Sequence, residues 1–95
     1  MKVVWTREAE KHLDGIYEYI AQDAVIYARR MVDKLTRRSQ QLAEFPQSGR
    51  VVPEYGDKNL RELIESPYRI VYKINSDRID VIAVFHGAQL LPESL

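Results

Sequence analysis

The sequence predicts an α+β fold, with a short N-terminal strand and an antiparallel helical hairpin packed beside a C-terminal antiparallel β-sheet. Three observations predict it. Apolar residues recur at helical spacing from Ala9 to Ile20 and again from Ala24 to Leu42. Three β-rich runs follow at Leu60–Glu65, Tyr68–Ile74 and Arg78–Phe85. Between the two halves lies a stretch, Pro46 to Lys58, broken by Gly49, Pro53 and Gly56.

Each element has its own signal. Lys2 to Trp5 is a β-branched run long enough for one strand. Thr6 is placed to cap the first helix, and Glu8 suits the positive end of its dipole. Ala9, Leu13, Ile16, Tyr17 and Ile20 share one face of that helix. Asp23 is expected to cap the second helix, whose buried side carries Ala24, Ala28, Met31, Val32, Leu35 and Leu42. Arg29, Arg30, Lys34, Arg37 and Arg38 fall largely elsewhere on it. The link between the helices is a few residues, which folds them back on each other. Phe45-Pro46 ends the second helix, because proline disfavours helical geometry before it and has no amide donor. Val51 and Val52 are too apolar for a free loop and are expected to dock on the sheet. Ser66-Pro67 and Asn75-Ser76-Asp77 supply the turns.

Ninety-five residues provide one core, so a single domain over residues 1–95 is expected. Fourteen basic and fourteen acidic side chains cancel, which removes any global attraction to nucleic acid or anionic membrane. The chain has no cysteine, excluding disulfides, thiolate metal sites and cysteine nucleophiles. Neither a membrane-spanning run nor a signal peptide is visible, so a cytoplasmic location without membrane contact is expected. Phosphate-binding glycine loops and nucleophile elbows are also missing, and the two histidines are far apart without a carboxylate cluster. No metal or cofactor is expected.

Arg61, Arg69 and His86 are the candidate functional surface. A guanidinium on a rigid strand is a fixed donor for phosphates or carboxylates. Its competing role is an internal pair with Glu62, Glu65 or Asp80. Arg69 is the stronger candidate, because it stands between Tyr68 and Ile70 in the middle of the meander. His86 closes the last strand before Gly87 and can give or take a proton near neutral pH. His12, on the polar side of the first helix, is given no role. Tyr68 and Tyr72 lie on one strand face and are assigned to the core. An Arg69→Ala chain is expected to keep its fold and lose potency.

These residues also carry a family resemblance over nearly the whole chain. Trp5-Thr6 leads into the Ala9, Leu13, Ile16, Tyr19, Ile20 helix, and Leu42-Ala43-Glu44-Phe45-Pro46-Gln47-Ser48-Gly49-Arg50 follows. Leu60-Arg61-Glu62-Leu63, Tyr68-Arg69-Ile70-Val71-Tyr72 and Val84-Phe85-His86-Gly87 complete the order. Their order and spacing resemble the RelE/ParE superfamily of bacterial type II toxins. The resemblance implies a partner antitoxin whose flexible segment wraps the toxin, with an expected seat along the helices at Ala28, Met31, Val32, Leu35 and Arg38. It also implies operon repression in which operator DNA is reached only through the antitoxin.

Two activities divide the superfamily. ParE-like members inhibit DNA gyrase by binding, without hydrolytic chemistry. RelE-like members cleave mRNA on the ribosome, and here Arg61, Arg69 and His86 would be the catalytic set. RelE-type enzymes are generally basic and tend to carry a tyrosine or histidine near the C-terminus. This chain is neutral, and its tail reads Ala88-Gln89-Leu90-Leu91-Pro92. The expectation is therefore a ParE-like gyrase inhibitor, with the mRNA interferase as the alternative. A third reading is an inactive member acting only in operon regulation.

Overall fold

A computed structural model describes residues 1–95. The element order is β1 (Lys2–Trp5), α1 (Arg7–Ala21), α2 (Val25–Gln40) with a 3-10 turn at Gln41–Ala43, β2 (Arg50–Val51), β3 (Leu60–Glu65), β4 (Tyr68–Ile74) and β5 (Arg78–His86). The strands form one five-stranded sheet in the order β1-β5-β4-β3-β2. β2 to β5 are antiparallel neighbours, and β1 runs parallel to β5. The expected α+β architecture is present, with the N-terminal strand built into the sheet. Joining parallel strands requires a crossover, and the α1–α2 hairpin lies within it.

Thr6 caps α1 as expected, its Oγ1 accepting the Ala9 amide at 3.2 Å. The expected Asp23 cap does not form. The Asp23 and Ala24 amides both donate to the Ile20 carbonyl, so Asp23 belongs to the closing turn of α1. Ala24 takes the cap position with no side-chain bond. No helix is long and apolar enough to cross a membrane.

The two sheet faces bury separate clusters. Ala9 and Leu35 from the helices meet Leu42, Leu63, Tyr68, Ile70, Tyr72, Ile79, Val81 and Val84. Each aliphatic side chain fully removed from water there contributes roughly 1.5–3 kcal/mol. On the other face Val71, Ala83 and Phe85 are covered by Val52. Val52 has no exposed surface, so the docking expected of that segment occurs. The C-terminal tail reinforces it: Leu91 packs on this cluster, and the Tyr55 hydroxyl donates to the Pro92 carbonyl.

An irregularity in β5 makes the second cluster possible. Val71 pairs with Ala83, but the next residue, Tyr72, pairs with Val81, leaving Ile82 extra. One inserted residue reverses which side chains face inward. Val81 therefore points toward the helices, and Ala83 and Phe85 point toward the loop.

Candidate functional site

The loop from Pro46 to Lys58 organises the residues singled out in the sequence. Its anchor is Tyr72, whose hydroxyl donates to the Pro46 carbonyl at 2.7 Å and accepts the Gly49 amide at 3.0 Å. Burial pushes the Tyr72 phenol above its ordinary pKa, so it acts as a neutral hydrogen-bonding group. Gly49 fits because it lacks a side chain. A Cβ there would lie 2.5 Å from the Glu62 carbonyl and 2.7 Å from the Tyr72 hydroxyl.

Arg69 is 8% exposed and fully committed to carboxylates. Its Nε donates to Glu62 Oε1 at 2.6 Å, while Nη1 and Nη2 grip the two Glu54 oxygens at 2.8 Å each. The Glu62 side chain has no exposed surface and accepts a further bond from Arg50 Nε at 2.6 Å. The hydrogen bond from Arg69 holds the Glu54 carboxyl down to about 2. The same bond, with that to Glu62, raises Arg69 above its ordinary value against the opposing effect of burial. Of the partners expected for Arg69, Glu62 is found. Asp80 is instead bound by Arg78 and Asn75, and Glu65 by Lys34 and Arg38.

Arg61 also holds the loop. Its Nε donates to the Lys58 carbonyl at 2.9 Å and its Nη1 to the Gly49 carbonyl at 3.0 Å. It stands opposite Tyr72, whereas Arg69 stands opposite Phe85. Tyr72 and Phe85 belong to different clusters, so the two arginines serve opposite faces of the sheet. Arg61 and Arg69 of the candidate functional surface thus do not share one face of the sheet.

His86 is the member of the trio that remains exposed. Its Nδ1 accepts the Ala88 amide at 3.2 Å, and its ring meets Tyr68 edge-on with centroids 5.8 Å apart. A shallow depression beside it is bordered by Arg50, Ile64, Pro67 and Arg69. Both arginines there already hold carboxylates, so the depression offers His86 no unpaired guanidinium. No group of histidine, aspartate and glutamate side chains is arranged to hold a metal ion.

His12 has a role that its sequence position did not suggest. β1 covers β5 only as far as Val81. Beyond it, His12 Nδ1 accepts the Val84 amide at 3.1 Å, and the Gln89 side chain accepts the His86 amide at 3.3 Å. Side chains thus occupy two amides of the strand edge. Helical periodicity alone could not reveal this, since the partner lies 72 residues away.

The expected antitoxin seat divides by burial. Ala28 and Leu35 have no exposed surface and belong to the core of this chain. Met31 and Val32 are half-buried, and Arg38 holds Glu65 with Nε at 3.4 Å. The exposed apolar residues of the hairpin lie nearer its tip: Tyr19 (72%), Val25 (50%), Ile26 (58%) and Tyr27 (60%).

A five-stranded sheet carrying a helical hairpin and clamping its own loop defines a small α+β domain. The family model described as "ParE toxin of type II toxin-antitoxin system, parDE" matches residues 3–91. The chain belongs to this family, within the RelE/ParE superfamily, and is a type II toxin-antitoxin toxin. Toxin RelE2 of Caulobacter vibrioides is 34% identical over 90 residues, covering 94% of this chain and 98% of that protein. The solved chromosomal ParDE TA system from P. aeruginosa contains a chain of like fold, with a TM-score of 0.76 and 22% identity. The match covers 90% of this chain and 95% of that one. A YoeB/ParE toxin from Agrobacterium tumefaciens gives a TM-score of 0.59 at 25% identity, with coverage of 90% and 98%. Membership of such a system implies an antitoxin partner.

Proposed function

We propose that this toxin inhibits DNA gyrase by binding and is neutralised by a cognate antitoxin. The observation that carries the reading is the pairing of the strand arginines. Cleavage of RNA needs a cation free to meet negative charge on the phosphorane, beside a proton donor. Arg69 and Arg50 hold Glu54 and Glu62 next to His86, and Arg61 holds backbone carbonyls elsewhere. A surface of this kind suits recognition without chemistry. His86 is then the direct target contact, and Arg61 and Arg69 shape the surface around it by fixing the loop. For the antitoxin, Met31, Val32 and Arg38 with the apolar tip Val25, Ile26 and Tyr27 form the seat, supported from beneath by Ala28 and Leu35. Exposed apolar patches of this kind mark protein contacts.

The test is supercoiling by purified gyrase with increasing amounts of antitoxin-free toxin. Relaxed or cleaved DNA, restored to supercoiled product by antitoxin, is the expected result. Undisturbed gyrase with a folded toxin refutes the reading.

Ribosome-dependent mRNA cleavage is the second reading, favoured by the open His86 at the rim of the arginine depression and by relatives named RelE2 and YoeB/ParE. It predicts cleaved message in a translation extract and loss of cleavage in His86→Ala. A toxin inert in both assays is left with operon regulation alone.

A further inference from the structure

We infer that the solvent face of α2 is a docking surface for the phosphate backbone of duplex DNA, contacted by the toxin directly. Arg30, Lys34 and Arg37 recur at four- and three-residue intervals, which places them in one row along the helix, with Arg38 of the antitoxin seat at its edge. From Arg30 to Arg37 the row rises about 10 Å. With Asp33 and Glu65 they border an open groove that has no apolar lining residue.

Glu65 shows what the row can hold. Its carboxylate sits between Lys34 Nζ at 3.6 Å and Arg38 Nε at 3.4 Å, an internal oxyanion gripped from two positions of the helix. Arg30 and Arg37 have no carboxylate within ion-pair distance. Two cations are thus left for an external anion while a third and fourth are shared with Glu65.

The lining selects among anionic partners. A protein segment that folds on binding gains from burying apolar side chains, and this groove offers none to bury against. Single-stranded nucleic acid is gripped by aromatic platforms, and Tyr27, the aromatic beside the row, lies under the Arg30 guanidinium, which is 5.8 Å from the ring centre. A straight, rigid row of cations in a groove without apolar lining, its neighbouring aromatic already covered, matches the regular phosphates of a duplex. Because the whole chain is neutral, attraction of this kind is local to the row. The toxin would add backbone contacts beside those of its antitoxin, which alone was expected to reach operator DNA. The proposal is independent of the choice between gyrase and ribosome.

The test is fluorescence anisotropy of a labelled random-sequence DNA duplex with the full-length toxin over a salt series. Neutralising two to three phosphates gives log K against log salt a slope of roughly −2 to −3. The double variant Arg30→Gln/Arg37→Gln is expected to reduce that slope by about 2 and to weaken binding about tenfold. Lys73→Gln, an exposed cation on another element, should leave the slope unchanged. Arg30 and Arg37 are exposed, and circular dichroism of the variants is the control for folding. The inference is overturned by absence of binding at low salt, or by an unchanged slope in the double variant. Equal competition by polyglutamate overturns it in favour of an acidic protein. Tighter binding of a single strand or of duplex RNA overturns it in favour of RNA.

Discussion

Arg69 of the sheet and Arg30 and Arg37 of α2 look alike in the sequence and end in opposite situations. Arg69 is almost entirely buried and spans Glu62 and Glu54, while Arg30 and Arg37 stand in solvent without a carboxylate partner. The difference comes from what lies opposite each. Arg69 pairs across the ladder with Ile64, which makes Glu62, two residues earlier, its diagonal neighbour on the same face. A loop then closes over that face, bringing Glu54 and excluding water. On a helix facing solvent nothing closes over the cation. Position between apolar residues marked Arg69 as a charge with a reason, and the reason is internal.

Several measurements can break or sharpen that difference. The largest expected effect is Arg69→Ala, which leaves Glu62 buried beside Arg50 alone. Breaking a buried pair costs about 3–5 kcal/mol, and the remaining Arg50 contact places this change toward the lower figure. The expected outcome in urea unfolding is a clearly lowered midpoint. Gly49→Ala comes next, at about 1–3 kcal/mol, because the Glu62 carbonyl and the buried Tyr72 ring cannot both retreat. Tyr72→Phe should lose about 1–2 kcal/mol in the same assay, since the buried Gly49 amide loses its acceptor.

Acid probes Glu54. Its carboxyl titrates at about 2 in the folded chain, below the ordinary 4.5. Its contribution is therefore complete above about pH 4.5 and is lost as pH falls toward 2. In melting experiments the gap between the native chain and Glu54→Gln should narrow over that window. Smallest of all is Arg30→Gln, which should stay within about 0.5 kcal/mol of the native chain. A large loss there would mean that Arg30, like Arg69, is held by an internal pair.

Much of the architecture was readable because it rests on local signals. The helical spacing of Leu13, Ile16, Leu35 and Leu42, the Thr6 cap and the Pro46 stop are all set within a few residues. Val52 betrayed the docked loop by being apolar between Gly49 and Pro53. The insertion of β1 beside β5 was not readable, since it depends on a pairing across 76 residues between Lys2 and Arg78. Ile82 gives no sign of being an extra residue, because its run is apolar on both faces. The site was harder still. Arg61, Arg69 and His86 are real landmarks of the sheet, but alternation cannot say whether a loop will cover one face. Glu54 lies 15 residues from Arg69, and His12 lies 72 from Val84, so neither partnership has a periodic signature.

The most direct test of the internal clamp is a double-mutant cycle between Arg69 and Glu62, followed by urea unfolding of the full-length toxin. Arg69→Ala, Glu62→Ala and the double variant should show a coupling energy of about 0.5–3 kcal/mol, as expected for groups in one buried network. Additive losses would contradict the account, and would return Arg69 to the surface that meets the target.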